Sequence, residues 1–127
     1  MKKLVIVEDD PDISRSLTIR LSKAGYEVHT CSDAVLAMSR IRSAAPDLVV
    51  LDISMPGGTG FEIVERMREV PEVASIPCVF ITASKRPDFR ERADELGAVG
   101  YFEKPYDAHA LLDCVADAVG EYTASRG

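Results

Sequence analysis

The sequence predicts an α/β protein in which five β-strands alternate with five α-helices around one parallel sheet. Short apolar runs recur along the chain and alternate with longer amphipathic stretches, the order expected of βα units. Three of these runs, "LVIV", "LVVL" and "VFI", show no polar alternation and fit strands buried on both faces. With 127 residues, 46% of them hydrophobic, the chain can build one core and has no room for a second domain.

The first strand is "KLVIV". The first helix starts at "DDPDI", where Asp10 caps and Pro11 takes the first helical position, which needs no N–H donor. Ile13, Leu17, Leu21 and Ala24 then share a face, and Gly25 stops the helix. "YEVHTC" alternates as an edge strand does, and Asp33 caps a second helix that turns Ala34, Ala37, Met38 and Ile41 inward and ends before Pro46. After "DLVVL", a third helix from about Gly60 carries Ile63, Val64, Met67 and Val70, followed by the proline-bracketed linker "PEVASIP". "PCVFIT" leads to a polar fourth helix from about Pro87, with Phe89, Ala93 and Leu96 as a thin apolar stripe and Gly97 as its end. "GYFE" and a fifth helix from Asp107, burying Leu111, Leu112, Val115 and Val119, complete a domain expected over residues 1–121, with a polar tail at 122–127.

Composition removes several function classes. The net charge of −6 and the pI near 4.9 oppose a nucleic-acid-binding role, because no basic patch offsets the global repulsion. Cys31, Cys78 and Cys114 are odd in number and lack metal-ligand spacing, which predicts reduced thiols and a cytoplasmic protein. The apolar run after "MKK" meets three acids too soon for a signal peptide, and no membrane-length segment exists.

In an open doubly wound sheet, ligands bind at the carboxyl ends of the strands. Glu8, Asp9 and Asp10 follow the first strand here, Asp52 the third, Thr82 to Ser84 the fourth and Lys104 the fifth. Taken singly, Asp10 caps a helix, Asp52 precedes the turn residues Pro56, Gly57 and Gly58, and Lys104 is a surface partner for Glu103. Together they crowd one rim. Two carboxylates ~4 Å apart repel by roughly 4 kcal/mol even at an effective dielectric of ~20, so the cluster needs a proton or a cation. Oxygen ligands alone suit Mg²⁺, with Mn²⁺ as a substitute, better than zinc or copper. Lys104 adds a fixed positive charge and Thr82 a hydroxyl, both suited to phosphoryl oxygens, so Asp52 is a candidate nucleophile toward phosphorus.

In "KLVIVEDD", "LDISMPGGTG", "FITAS" and "GYFEKPY", the chain resembles the receiver domains of two-component response regulators over nearly its whole length. The resemblance implies the flavodoxin-like strand order 2-1-3-4-5, which a member of this family exemplifies. It makes Asp52 the phosphoacceptor, Asp9 a direct Mg²⁺ ligand, Glu8 a ligand through water, and the Ser54 backbone carbonyl a further ligand. Thr82 and Lys104 would hold the phosphoryl oxygens, and the bond from Lys104 to Pro105 would be cis. Tyr101 matches the aromatic that turns inward when Thr82 moves, and Gly60 the glycine that lets the loop turn into the third helix. Ser54 and Ser84 occupy positions that tune phosphoryl lifetime. Thr59 departs from the family, where an acid is common, so the loop is expected to be held differently.

The resemblance implies a stand-alone, chemotaxis-regulator-like switch. A sensor histidine kinase or histidine phosphotransfer protein would donate phosphoryl to Asp52, and a downstream protein target would bind the face of the fourth helix, fifth strand and fifth helix. The polar tail is equally a place where a longer chain continues, and both a monomer and a phosphorylation-dependent dimer remain open. Lys85, Arg86, Arg90 and Arg92 suggest an acidic partner. Autophosphorylation and autodephosphorylation are expected without turnover of an external substrate. Two other classes compete. A phosphohydrolase of the haloacid dehalogenase type would need an acid where Ser54 stands, and a flavin module would place its phosphate against the repelling "EDDPD".

Overall fold

The structure, a computed structural model, describes residues 1–120; the expected tail at 122–127 lies outside them. In chain order the elements are β1 (Lys3–Val7), α1 (Pro11–Lys23), β2 (Glu27–Cys31), α2 (Ala34–Ala44), β3 (Leu48–Asp52), β4 (Ser54–Met55), β5 (Gly58–Thr59), α3 (Gly60–Glu69), β6 (Cys78–Thr82), α4 (Pro87–Glu95), β7 (Gly100–Glu103) and α5 (Ala108–Ala118). Five strands pair in parallel in the order β2-β1-β3-β6-β7. Counted along the chain these five follow the order 2-1-3-4-5, as the resemblance implies, and "YEVHTC" supplies the edge strand β2.

Strand alternation sends neighbouring residues to opposite cores. Val5, Val7, Val49, Leu51 and Phe80 pack with Ala37, Ile41, Ile63, Val64 and Met67 beneath α2 and α3. Leu4, Ile6, Val50, Val79 and Ile81 pack on the other face with Leu17 and Leu21 of α1 and Leu111 and Val115 of α5. That two-sided burial is why "LVIV", "LVVL" and "VFI" lack polar alternation.

The caps fall where the sequence places them. Asp10 accepts from the N–H groups of Asp12 and Ile13, Asp33 from Leu36, and Asp107 from His109 and Ala110. The fourth helix is held more lightly: no side chain caps α4, and Ala93 is its one fully buried residue. Two expectations need correction. Ala24 is exposed because it is the C-cap of α1 and lies beyond the last turn that touches the sheet. The stretch after Asp52 is more than a turn, since Ser54 and Met55 pair antiparallel with Thr59 and Gly58.

Phe80 is fully buried in β6 and packs edge-on against Phe61, with ring centroids 5.0 Å apart. Phe80→Ala is expected to lower unfolding stability by about 3–5 kcal/mol, read as a shift in the urea midpoint at unchanged slope.

Candidate functional site

Four of the parallel strands deliver chemistry to one rim. The Glu8 N–H donates to the Cys31 carbonyl at 3.0 Å, which carries the strand pairing one residue past β1 and fixes Glu8 at the edge of the core. Asp52 and Thr82 end β3 and β6, and both are buried. Lys104 follows β7, where its N–H donates to the Thr82 carbonyl at 2.7 Å and its bond to Pro105 is cis.

The Lys104 side chain ties the rim together. Its Nζ lies 2.9 Å from Glu8 Oε1 and 3.1 Å from Asp52 Oδ2. Carboxylate oxygens of Glu8, Asp9 and Asp52 all lie within 4.8 Å of one another. Among the described residues this is the one place where three metal-ligating side chains meet. Asp9 is exposed, whereas Glu8 is only 2% exposed. Asp10 stands apart as the cap of α1, although its N–H donates to Glu8 Oε2 at 3.1 Å.

Burial pushes the Glu8 carboxyl up to about 7, against the pull of the Lys104 hydrogen bond and with added repulsion from Asp52. Burial also opposes the Lys104 charge, but hydrogen bonds to Glu8 and Asp52 hold the ammonium above the usual lysine range. Three carboxylates meet one ammonium, so the cluster is short of positive charge even with Lys104 in place. Its donors are all oxygen, as a hard cation such as Mg²⁺ requires, and the open side at Asp9 leaves room for water and phosphate ligands.

The remaining predicted residues make contacts of their own. The Ser54 N–H donates to Asp52 Oδ1 at 3.2 Å. The Ser84 N–H donates to Thr82 Oγ1 at 3.0 Å, so the hydroxyl keeps its own proton for another acceptor. Tyr101 packs partly buried beneath α4, with the Arg90 guanidinium 4.6 Å from its ring centroid. Its hydroxyl is the one buried side-chain polar atom among the described residues without a hydrogen-bond partner. His29 pairs with Glu27 on β2, away from the rim.

The four cations expected to draw an acidic partner are all engaged within the chain. Lys85 pairs with Glu103, Arg86 with Asp88 and the Phe89 ring, Arg90 with Tyr101, and Arg92 with Glu65 and Glu95. Their charge is spread over local contacts rather than presented as one basic patch.

Gly60 stands where the loop turns into α3, and close approach, not a positive φ, is what requires glycine there. Its backbone is not in the left-handed region, but a Cβ there would sit 2.5 Å from the Asp52 carbonyl oxygen and 3.2 Å from the Asp52 carbonyl carbon. The start of α3 thus lies directly against the backbone of Asp52. Sequence reading also passed over the Thr59–Glu62 capping box, in which the Glu62 N–H donates to Thr59 Oγ1 at 3.1 Å and the Thr59 N–H to Glu62 Oε1 at 2.9 Å. The signal was present as "TGFE", a hydroxyl residue followed three positions later by Glu.

Comparison with known proteins agrees with this geometry. Residues 4–116 match the response regulator receiver domain family. The chain is 34% identical over 121 residues to sporulation initiation phosphotransferase F of Bacillus subtilis, covering 95% of this chain and 93% of that protein. It is 32% identical over 112 residues to the DNA-binding dual master transcriptional regulator RpaA of Synechocystis, covering 88% of this chain but 46% of RpaA, so it spans about half of that relative. The solved structure of Vibrio cholerae chemotaxis protein CheY4 superposes with a TM-score of 0.85 at 30% identity, covering 93% of this chain and 98% of that one.

Two outcomes test the site's packing and charge. Gly60→Ala is expected to destabilise by about 1–3 kcal/mol through overpacking against Asp52, visible in the thermal midpoint. Glu8 holds its proton more tightly folded than unfolded, so it favours the fold below pH 4.5, and this contribution is lost as pH rises through about 7. In chelator, the stability of the native chain should fall across that window relative to Glu8→Gln, with parallel curves counting against a raised Glu8.

Proposed function

The chain belongs to the response regulator receiver domain family, and on that premise we propose that it is a phosphorylation-driven switch with Asp52 as its phosphoacceptor. The observation that carries this function is the Lys104 ammonium bridging Glu8 and Asp52 at the buried end of β3. A carboxylate is kept there beside other acids and a lysine, an arrangement with no packing benefit and a clear use in phosphoryl transfer.

Glu8, Asp9 and Asp52, with the Ser54 backbone carbonyl, would hold Mg²⁺. When bound, the ion supplies charge neutralisation between Asp52 and the incoming phosphoryl oxygens. An Asp52 carboxylate oxygen attacks the phosphorus of a phosphohistidine. The O–P bond forms as the P–N bond breaks, and the imidazole leaves with the electron pair. Lys104 exchanges part of its contact with the carboxylates for a phosphoryl oxygen, and Thr82 donates its free hydroxyl proton to another. Ser54 and Ser84, both small, leave space for the water that later hydrolyses the acyl phosphate, so their size sets how long the signal lasts.

The donor is a histidine kinase or histidine phosphotransfer protein, and the output is altered binding of a downstream protein on the face of α4, β7 and α5. Movement of Thr82 toward the phosphoryl group and reorientation of Tyr101 would link the site to that face. The light anchoring of α4 makes it the element that can yield. One relative is named a phosphotransferase and matches this chain nearly end to end, which favours a second role in which the phosphoryl group on Asp52 is passed on to another protein.

Intact mass after incubation with Mg²⁺ and acetyl phosphate tests the proposal. The native chain should gain one labile phosphoryl group, lost in Asp52→Asn and in chelator, and Lys104→Gln should form it about 10²-fold more slowly. An adduct that persists in Asp52→Asn would remove Asp52 from this role.

A further inference from the structure

The hairpin that follows Asp52 is too short to hold itself. It contains two residue pairs, Ser54 with Thr59 and Met55 with Gly58, and an isolated two-stranded ribbon is marginal in water even when much longer. Its order must come from tethers. One is the Pro56 carbonyl, which accepts from the Ala34 N–H at 3.1 Å and so joins the hairpin tip to the start of α2. A second is the Gly60 N–H, which donates to the Ile53 carbonyl at 2.8 Å. The third is the Thr59–Glu62 capping box, which holds Thr59 by both its side chain and its backbone.

The third tether acts at the position that matters for Asp52. Thr59 is the cross-strand partner of Ser54, and the Ser54 N–H donates to Asp52 Oδ1. From this juxtaposition we propose that Thr59, acting with Glu62, is a positioning residue that fixes the Ser54 backbone and thereby sets the affinity of the Asp52 site for a divalent cation. The proposal rests on the assignment of Glu8, Asp9 and Asp52 as a Mg²⁺ site. Glu62 reaches back to the Thr59 N–H from the first turn of α3, so the helix and the hairpin share one anchor. A loop held this way contributes order to the site without adding a further carboxylate to a rim that already has three.

A cap that only stabilised α3 would change the melting temperature and nothing else. The test therefore measures Mg²⁺ affinity by calorimetry for the full chain and for Thr59→Ala, Thr59→Ser, Glu62→Ala and Val115→Ala. Val115 is a fully buried residue of α5, on the face of the sheet opposite α3. Thr59→Ala and Glu62→Ala are expected to weaken Mg²⁺ binding about three- to tenfold, and Thr59→Ser to restore it. Val115→Ala should lower the melting temperature and leave the affinity unchanged. Amide exchange at Ser54, measured without metal, should speed up in Thr59→Ala, and this readout is independent of the cation. If the native chain binds Mg²⁺ and Thr59→Ala binds it equally well with the same Ser54 exchange, the positioning role is wrong and the switch function stands. If the native chain binds no Mg²⁺, the cation site falls and the positioning role falls with it. Should Thr59→Ala fail to fold, Glu62→Ala, which removes only one half of the box, decides on the same readouts.

Discussion

The rim of this protein depends on one ammonium group. Lys104 reaches between Glu8 and Asp52, and without it two buried carboxylates and an exposed third would face one another across a few ångströms. Removing one partner of such a buried pair leaves an uncompensated charge, which is far more costly than the pair is favourable. Each strand end is therefore constrained by the others. The β1 backbone must deliver Glu8, β3 must end in a buried Asp52, and β7 must bring Lys104 across Thr82, whose carbonyl accepts the Lys104 N–H. One ammonium does not offset three carboxylates, and this residual imbalance is what a divalent ion or a proton would relieve.

Much of this was legible in the sequence because its strongest signals are collective. Apolar runs without alternation demand burial on both faces, and the two cores, one under α2 and α3 and one between α1 and α5, supply it. Capping aspartates at 10, 33 and 107 sat where helix starts were expected, since an acceptor there satisfies orphan N–H groups whatever surrounds it. The meeting of Glu8, Asp9, Asp52, Thr82 and Lys104 followed from strand ends alone, because parallel connectivity puts all those ends on one side.

What escaped the sequence depends on contacts between segments. Four hairpin residues around Pro56 and Gly57 carry no strand signal, and only pairing in space distinguishes β4 and β5 from a turn. Gly60 signals flexibility in one dimension, whereas in three it marks the place where α3 touches the Asp52 backbone. Lys85, Arg86, Arg90 and Arg92 form a charge run on paper, but acids and rings scattered over Glu65, Asp88, Phe89, Glu95, Tyr101 and Glu103 take them up one by one. No local window contains those partners together.

The Lys104 contacts span 96 residues to Glu8 and 52 to Asp52. Synthesis runs from the N-terminus, so a growing chain exposes both acids long before their counter-charge has been made. Until β7 docks at the sheet edge, the rim is a cluster of acids without the ammonium that pairs with Glu8 and Asp52. Assembly of the rim is thereby tied to synthesis of the chain through β7, and a copy interrupted before Lys104 lacks the counter-charge of Glu8 and Asp52 without any separate inspection.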